Sequence, residues 1–139
     1  MPKEFPLESP GFNPFGDLIG LSFSLCEKGY SRCALQVTDR LLNPHRVLHG
    51  GVIYSLADTG MGGALYTDLD ENESCATVQI DIFYLEKVTS GTLTCETKLI
   101  HRGKTTAVLE SEVKNDGRLV AKALGTYSVF KASVQEGRT

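Results

Sequence analysis

One stretch of the sequence, residues 43–58, combines residue types that could act on a carbonyl group. Asp58 stands in a segment that otherwise holds small and apolar residues, and a carboxylate buried there without a partner would be unusual. The same residue could instead be partly exposed in the second turn of a helix, where the macrodipole favours negative charge. Its position alone does not decide between a chemical and a structural role.

The triplet His49-Gly50-Gly51 precedes this carboxylate where a helix is predicted to begin. The first N–H groups of a helix have no partner within it, and glycines let another group approach the backbone closely. The triplet is therefore a candidate oxyanion hole for a carbonyl oxygen that gains negative charge. The glycines could also serve only the turn from loop to helix, but a helical carboxylate seven residues after Gly51 favours chemistry.

One long helix and six strands are the elements that must position these residues. Small and apolar residues recur at helical spacing from Gly50 to about Thr67. The helix contains Gly60, Gly62 and Gly63, each about 1 kcal/mol less favourable than alanine, so we expect a sheet to approach it closely. Two strand-like alternations precede the helix and four, linked by tight turns, follow it. This order predicts an α+β fold with one central helix on a curved six-stranded antiparallel sheet.

The strand that follows the helix has a clear alternation of side chains. It is predicted over residues 77–85. Period-two alternation assigns its residues to two faces. One face then carries Val78, Ile80, Ile82 and Tyr84, and the other carries Thr77, Gln79, Asp81 and Phe83.

Length and composition limit the possible functions. A chain of 139 residues is one domain, expected here over 18–131, after an irregular lead-in over 1–17 and before a polar tail over 132–139. The net charge of −3 gives no indication of nucleic-acid binding. No apolar run is long enough to span a bilayer and no secretory signal is recognised. Cysteines without a disulfide framework favour a cytoplasmic protein.

Cysteine and histidine spacing gives no indication of a disulfide framework or a metal site. The four cysteines contain no Cys-x-x-Cys pair and are expected to be reduced thiols. The three histidines show neither a helical pair nor a neighbouring thiol pair. We therefore expect no metal and no redox cofactor.

Several of these features together resemble the signature of hotdog-fold acyl-CoA thioesterases, in particular the PaaI-like group related to phenylacetyl-CoA and 4-hydroxybenzoyl-CoA thioesterases. The resemblance extends from about residue 17 to residue 130. It implies a sheet wrapped around a central helix and hydrolysis of an acyl-CoA to free acid and CoA. The matching pieces are Asn43, His49-Gly50-Gly51, Asp58, the Gly-Gly-Ala at 62–64, the strand 77–85 and the turn 102–105.

The resemblance also implies roles for individual residues. Asp58 would act as general base or as nucleophile, and Thr77 would place a hydroxyl near it. Gly51, with Gly50, would polarise the thioester carbonyl through a backbone N–H. Asn43 would position the water or the carbonyl, and His49 would lie near the sulfur or fix the loop. In the family these contacts cross a dimer interface, so Asp58 and Thr77 would face the partner subunit's residues 43–51, in a dimer or a dimer of dimers.

Substrate contacts are implied at two further places. Arg102, Gly103 and Lys104 fall where the CoA phosphates or the pantetheine arm pass in the family, although a solvated basic turn would look the same. Glu86-Lys87 replaces the Arg-Pro of many relatives, which weakens the implied nucleotide contact. An apolar tunnel beside the helix, bounded by Met61, Leu65 and Phe83, would hold an aromatic, medium-chain or long-chain acyl group.

Two alternative functions fit the same fold. A hotdog hydratase or dehydratase carries Asp and His in a loop with Asn-Pro, which Asp39 and Asn43-Pro44-His45 faintly resemble, but the spacing differs. A module that binds acyl-CoA without turnover is the other alternative. The presence of both Asp58 and the His-Gly-Gly triplet favours the thioesterase.

Overall fold

A computed structural model describes residues 3–7 and 11–132 of the chain. The predicted tail, 132–139, lies outside the described residues except for its first residue, as do residues 1, 2 and 8–10 of the lead-in. None of the helices in the described ranges is long and apolar enough to cross a membrane. The elements are α1 (Pro14–Ile19), β1 (Leu21–Glu27), β2 (Tyr30–Gln36), a 3₁₀ turn (Asp39–Leu41), α2 (Gly50–Tyr66), β3 (Glu73–Tyr84), β4 (Thr92–Arg102), β5 (Thr106–Asn115) and β6 (Arg118–Lys131).

The six strands form one antiparallel sheet in the order β1-β2-β4-β5-β6-β3. Irregularities interrupt four of the five strand pairings, and such bulges bend and twist a sheet. The sheet curves around α2, which packs against all six strands. The predicted curved six-stranded sheet around one central helix is confirmed. The connection through α2 places β3 at the far edge of the sheet, beside β6 alone.

Glycines let α2 lie close to the sheet, as predicted, at two of three positions. A Cβ on Gly60 would lie 2.9 Å from the Thr97 hydroxyl, and a Cβ on Gly63 would lie 2.7 Å from the Phe23 ring. Gly62 differs from these two glycines, because it lies on the open side of the helix, away from the sheet, where an added Cβ would meet nothing within 4 Å. Close packing therefore accounts for Gly60 and Gly63 and not for Gly62.

A β-bulge at Val78 changes the predicted faces of β3. Thr77 pairs with Tyr127 of β6, but the next pair is Gln79 with Thr126, so Val78 is the extra residue. The bulge puts Thr77 on the same face as Ile80 and Ile82, which pack into the core. The predicted grouping of Thr77 with Phe83 is therefore wrong, because a single alternation over 77–85 takes no account of an inserted residue.

The lead-in is not separate from the domain. The ring of Phe5 packs on Phe23 of β1 and on Tyr66 of α2, with ring centroids 4.4 Å and 5.6 Å apart. The backbone N–H of Lys3 donates to the carbonyl of Leu69. The helix α1 spans residues 17 and 18, where the boundary of the domain is predicted.

Candidate active site

Asp58 lies half-buried on the open side of α2, where two hydroxyl groups hold one of its carboxylate oxygens. The Thr77 hydroxyl donates to Oδ1 at 2.9 Å, and the Tyr127 hydroxyl donates to the same oxygen at 2.5 Å. Within the described ranges, Oδ2 accepts no hydrogen bond and no cation pairs with the carboxylate. The arrangement fixes one oxygen and leaves the other free to take a proton or attack a carbon.

Tyr127 is a residue of this site that the sequence analysis does not identify. It lies directly opposite Thr77 across the β3–β6 pair, and its side chain is only 2% exposed. Burial, and then the hydrogen bond to Asp58, raise the pKa of the Tyr127 hydroxyl well above its usual range. The hydroxyl therefore stays protonated and acts as a donor. Alternation along β6 assigns Tyr127 to the inner face, but only the bulge in β3 shows that it meets Thr77.

The N-terminus of α2 is organised by His49, which is the N-cap. Its ring atom Nδ1 accepts from the N–H of Gly51 at 2.8 Å, so in the neutral ring the proton is on Nε2. The N–H of Gly50 makes no hydrogen bond with any described residue. The N–H of Gly51, the predicted donor, is thus occupied by His49, while the N–H of Gly50 is available to a ligand.

Asn43 holds the loop that leads to this N-terminus. Its side-chain oxygen accepts from the N–H groups of His45 at 2.9 Å and Val47 at 3.2 Å, and its backbone N–H donates to Val47 at 2.7 Å. This compact turn holds Arg46 in the left-handed backbone region, with φ 65°. The Asn43 side-chain nitrogen donates to no described residue, and Asn43 makes no hydrogen bond to Asp58 within the chain.

The predicted site residues thus form two separate groups in one chain. Asp58 and Thr77 are together, with Tyr127 added to them. Asn43, His49 and the two glycines are together at the helix N-terminus.

An apolar depression lies beside the helix N-terminus. Its volume is about 290 Å³, and the Tyr84 hydroxyl, which donates to the carbonyl of Gly50 at 2.8 Å, lies at its wall. Met61, Leu65 and Phe83 do not line the expected tunnel in the described part of the chain. Met61 and Leu65 are fully buried in the core, while Phe83 is 66% exposed on the opposite face of the sheet because of the bulge at Val78. The lining residues of the depression include Val47, Leu48, Ile53, Leu85 and Val88.

One residue of the basic turn after β4, Arg102, has a structural role. The Arg102 guanidinium donates to Asp68 and to Glu73, both at 2.9 Å, and it ties the end of β4 to the connection between α2 and β3. The pKa of the Glu73 carboxyl is lowered, first by the backbone N–H of Asp70 and then by Arg102. Gly103 closes the turn by donating to Thr106 at 2.7 Å. Lys104 is exposed, so of the two basic residues it is the one available to an anion.

The edge strand β3 exposes both backbone and apolar side chains. It pairs with β6 on one side only, and an unpaired edge is a template for another strand. Val78 is 63% exposed in the middle of the strand, and Tyr84 and Leu85 are exposed at its C-terminal end. Thr77 belongs to this edge strand, and Asp58 accepts its hydrogen bond, so the proposed reacting carboxylate lies close to the edge of the sheet.

Comparison with known proteins supports the same fold and reaction class. The model of the Thioesterase superfamily matches residues 45–122. The protein SSO1253 of Saccharolobus solfataricus is 34% identical over 86% of this chain and 80% of its own length. The acyl-coenzyme A thioesterase PaaI of Escherichia coli is 31% identical over 70% of this chain and 68% of its own.

Solved structures agree with these sequence matches. The crystal structure of the thioesterase HI1161 from Haemophilus influenzae superposes with a TM-score of 0.85 at 26% identity, and 93% of each chain is covered. The phenylacetic acid degradation protein PaaI of Thermus thermophilus, in a mutant structure, gives a TM-score of 0.78 at 25% identity, over 84% of this chain and 98% of its own. The chain therefore belongs to the Thioesterase superfamily, as a PaaI-like member with the hotdog fold.

Proposed function

We propose that this protein hydrolyses the thioester of an acyl- or aryl-acyl-CoA to the free acid and CoA, with Asp58 as the reacting carboxylate. The observation that carries the proposal is the asymmetry of that carboxylate, with two hydroxyl donors on Oδ1 and none from the described residues on Oδ2. Two relatives are named for CoA thioesters, the Escherichia coli acyl-coenzyme A thioesterase PaaI and a Listeria monocytogenes 1,4-dihydroxy-2-naphthoyl-CoA hydrolase.

The free oxygen of Asp58 has two chemical routes to the same products. As a general base it takes a proton from water while the water attacks the thioester carbon. As a nucleophile it attacks that carbon itself, expels the CoA thiolate and forms an anhydride that water then opens. Thr77 stabilises the carboxylate in both routes. One turnover in ¹⁸O-labelled water distinguishes them if it leaves label in Asp58, which only the nucleophilic route can do.

The N-terminus of α2 supplies the electrophilic half of the site. The Gly50 N–H is open to the thioester oxygen, and the Gly51 N–H becomes a second donor when that oxygen displaces Nδ1 of His49. Donors fixed at the position of the developing negative charge lower the barrier most. The Asn43 side-chain nitrogen, carried on the same rigid loop, donates to the attacking water or to the carbonyl.

The two halves of the site come from two chains. The edge strand β3 pairs with its copy in a homodimer and covers Val78 and its exposed neighbours, and two dimers form a tetramer. Asp58 and Thr77 of one chain then face the partner subunit's residues 43–51. A fully active monomer in sedimentation experiments would contradict this assembly.

Substrate recognition uses the apolar depression and the exposed lysine. The depression beside Gly50 accepts the acyl group, since most of its lining residues, apart from Glu86 and Lys87, are apolar and it adjoins the N–H that polarises the carbonyl. Lys104 contacts a CoA phosphate, while Arg102 and Gly103 hold the turn in place.

Release of free thiol across a panel of aryl-, short-, medium- and long-chain acyl-CoAs tests the proposal. The Asp58→Asn variant should lose about 10³-fold in kcat with an unchanged melting temperature. Asp81→Asn is the matched control, because that carboxylate is exposed on β3 and bonds only to the Gln79 side chain among the described residues.

Three outcomes would contradict the proposal. Thiol release that is unchanged in Asp58→Asn would remove Asp58 from the reaction. Hydration of an enoyl-CoA without thiol release would indicate a hydratase, and binding of every acyl-CoA without turnover would indicate a binding module.

A further inference from the structure

The Tyr127 hydroxyl makes a closer contact with Asp58 than any role in packing requires. It lies 2.5 Å from Oδ1 and 2.9 Å from the backbone carbonyl oxygen of the same residue. A buried tyrosine needs one acceptor for its proton, and the carbonyl alone would satisfy it. The hydroxyl is nevertheless aimed between both oxygens, so it ties the Asp58 side chain to its own backbone.

The position of Tyr127 excludes it from contact with a substrate. Its side chain is 2% exposed and packs in the cluster formed by the second half of α2 and strands β5 and β6. Burial and the neighbouring carboxylate raise the pKa of the hydroxyl, so it keeps its proton. It therefore acts on the reaction only through Asp58.

Two donors on one oxygen define the orientation of a carboxylate. Thr77 reaches Oδ1 from β3 and Tyr127 reaches it from β6, and these two residues are register partners across the strands. Oδ1 is then held from two sides, and Oδ2 carries no hydrogen bond from the described residues. Loss of either donor would let the carboxylate rotate and would lower the fraction of time that Oδ2 is in place.

We propose that Tyr127 is a positioning residue for hydrolysis, and that its hydroxyl holds Oδ1 of Asp58 so that Oδ2 faces the reacting carbon. This inference rests on the proposed function, since it requires Asp58 to be the reacting carboxylate. Thr77 and Tyr127 together form a two-strand clamp on a helical side chain.

The Tyr127→Phe variant tests the proposal, because it removes the hydroxyl and keeps the ring in the core. We expect kcat to fall about 10-fold, as for loss of one hydrogen bond to a charged group, with KM nearly unchanged. Thr77→Val should have a similar effect. Tyr30→Phe is the matched control, because it removes a tyrosine hydroxyl that donates to a carboxylate, Glu96, on the outer face of the sheet, and it should leave both constants unchanged.

A double-mutant cycle separates positioning from a structural effect. In the Asp58→Asn background, Tyr127→Phe should lower the residual rate no further, because the residue through which it acts is already gone. An equal further loss in that background would overturn the proposal, as would loss of the native circular dichroism spectrum at the assay temperature.

The cycle also distinguishes failure of this inference from failure of the proposed function. A full-rate Tyr127→Phe enzyme beside an inactive Asp58→Asn enzyme would overturn only the role of Tyr127. A full-rate Asp58→Asn enzyme would overturn the proposed function itself, and the role of Tyr127 with it.

Discussion

The N–H of Gly50 and the carboxylate of Asp58 belong to the same helix but lie too far apart to contact the same substrate carbonyl. Eight residues separate them, which is about 12 Å along the axis of an α-helix. Helical N–H bonds and side chains both point toward the N-terminus, so a carbonyl oxygen bound by Gly50 stays about that far from the Asp58 carboxylate along the axis. One carbonyl therefore cannot contact both groups of a single chain, which is the physical argument for the proposed site shared between two chains.

A proline at position 50 tests the role of the helix N-terminus. Proline is accommodated at the first helical position, and His49 already has the extended backbone that precedes a proline (φ −61°, ψ 131°). Gly50→Pro removes the N–H donor and adds ring atoms near Tyr84, and we expect kcat to fall by about 10²-fold while the helix is retained. Thiol release and circular dichroism measure the two effects.

Gly50→Ala is the matched control for this variant. Both substitutions place a Cβ about 3.3 Å from the Tyr84 ring, but alanine keeps the N–H. Its loss of kcat should be far smaller than that of the proline variant. Equal losses in the two variants would assign the effect to crowding by Tyr84 rather than to the missing donor.

The sequence predicts the order of elements and the helix bounds well, because each depends on local patterns. The apolar spacing from Gly50 onward and the tight turns after the helix are visible without tertiary structure. The contact of Thr77 with Asp58 follows from the family resemblance, and the structure contains it.

Features that depend on strand register are not visible in the sequence. The bulge at Val78 inverts the phase of the rest of β3, which moves Phe83 to the outer face. The same register brings Tyr127 to Thr77. The ion pairs of Arg102 with Asp68 and Glu73 join segments that are distant in the chain, so they are also not visible in the sequence. They give Arg102 a structural role where the resemblance implies a phosphate contact.

Alanine at Gly62 and alanine at Gly60 of α2 should have opposite effects on stability. Gly62→Ala should raise the free energy of unfolding by up to about 1 kcal/mol, because the helix gains propensity and the Cβ meets nothing within 4 Å. Gly60→Ala should lower it, because its Cβ would lie 2.9 Å from the Thr97 hydroxyl, which is hydrogen-bonded to Ser111 in the core. Urea unfolding measures both. A destabilised Gly62→Ala variant would contradict this prediction and would indicate that the partner chain proposed to face Asp58 also contacts Gly62, one turn further along the same side of α2.

The raised pKa of Tyr127 predicts a specific alkaline instability. Above pH 10 the unfolded chain releases this phenolic proton while the folded chain retains it, so stability falls as the pH rises. This proton contributes a slope of about 1.4 kcal/mol per pH unit, which Tyr127→Phe removes. Urea unfolding of both proteins between pH 9 and about 11, a range set by the ordinary tyrosine pKa, measures the difference. Parallel stability curves would contradict the raised pKa.

Complementation between two inactive chains tests the shared site most directly. Asp58→Asn and Gly50→Pro chains, co-expressed with different tags and purified through both, form mixed dimers with one site whose two halves are both intact. In a dimer of dimers the doubly tagged assemblies also contain inactive homodimers, so we expect thiol release at about a quarter to a half of the wild-type rate, while each parent protein stays nearly inactive. Mixed dimers no more active than either parent would contradict a site built from two chains.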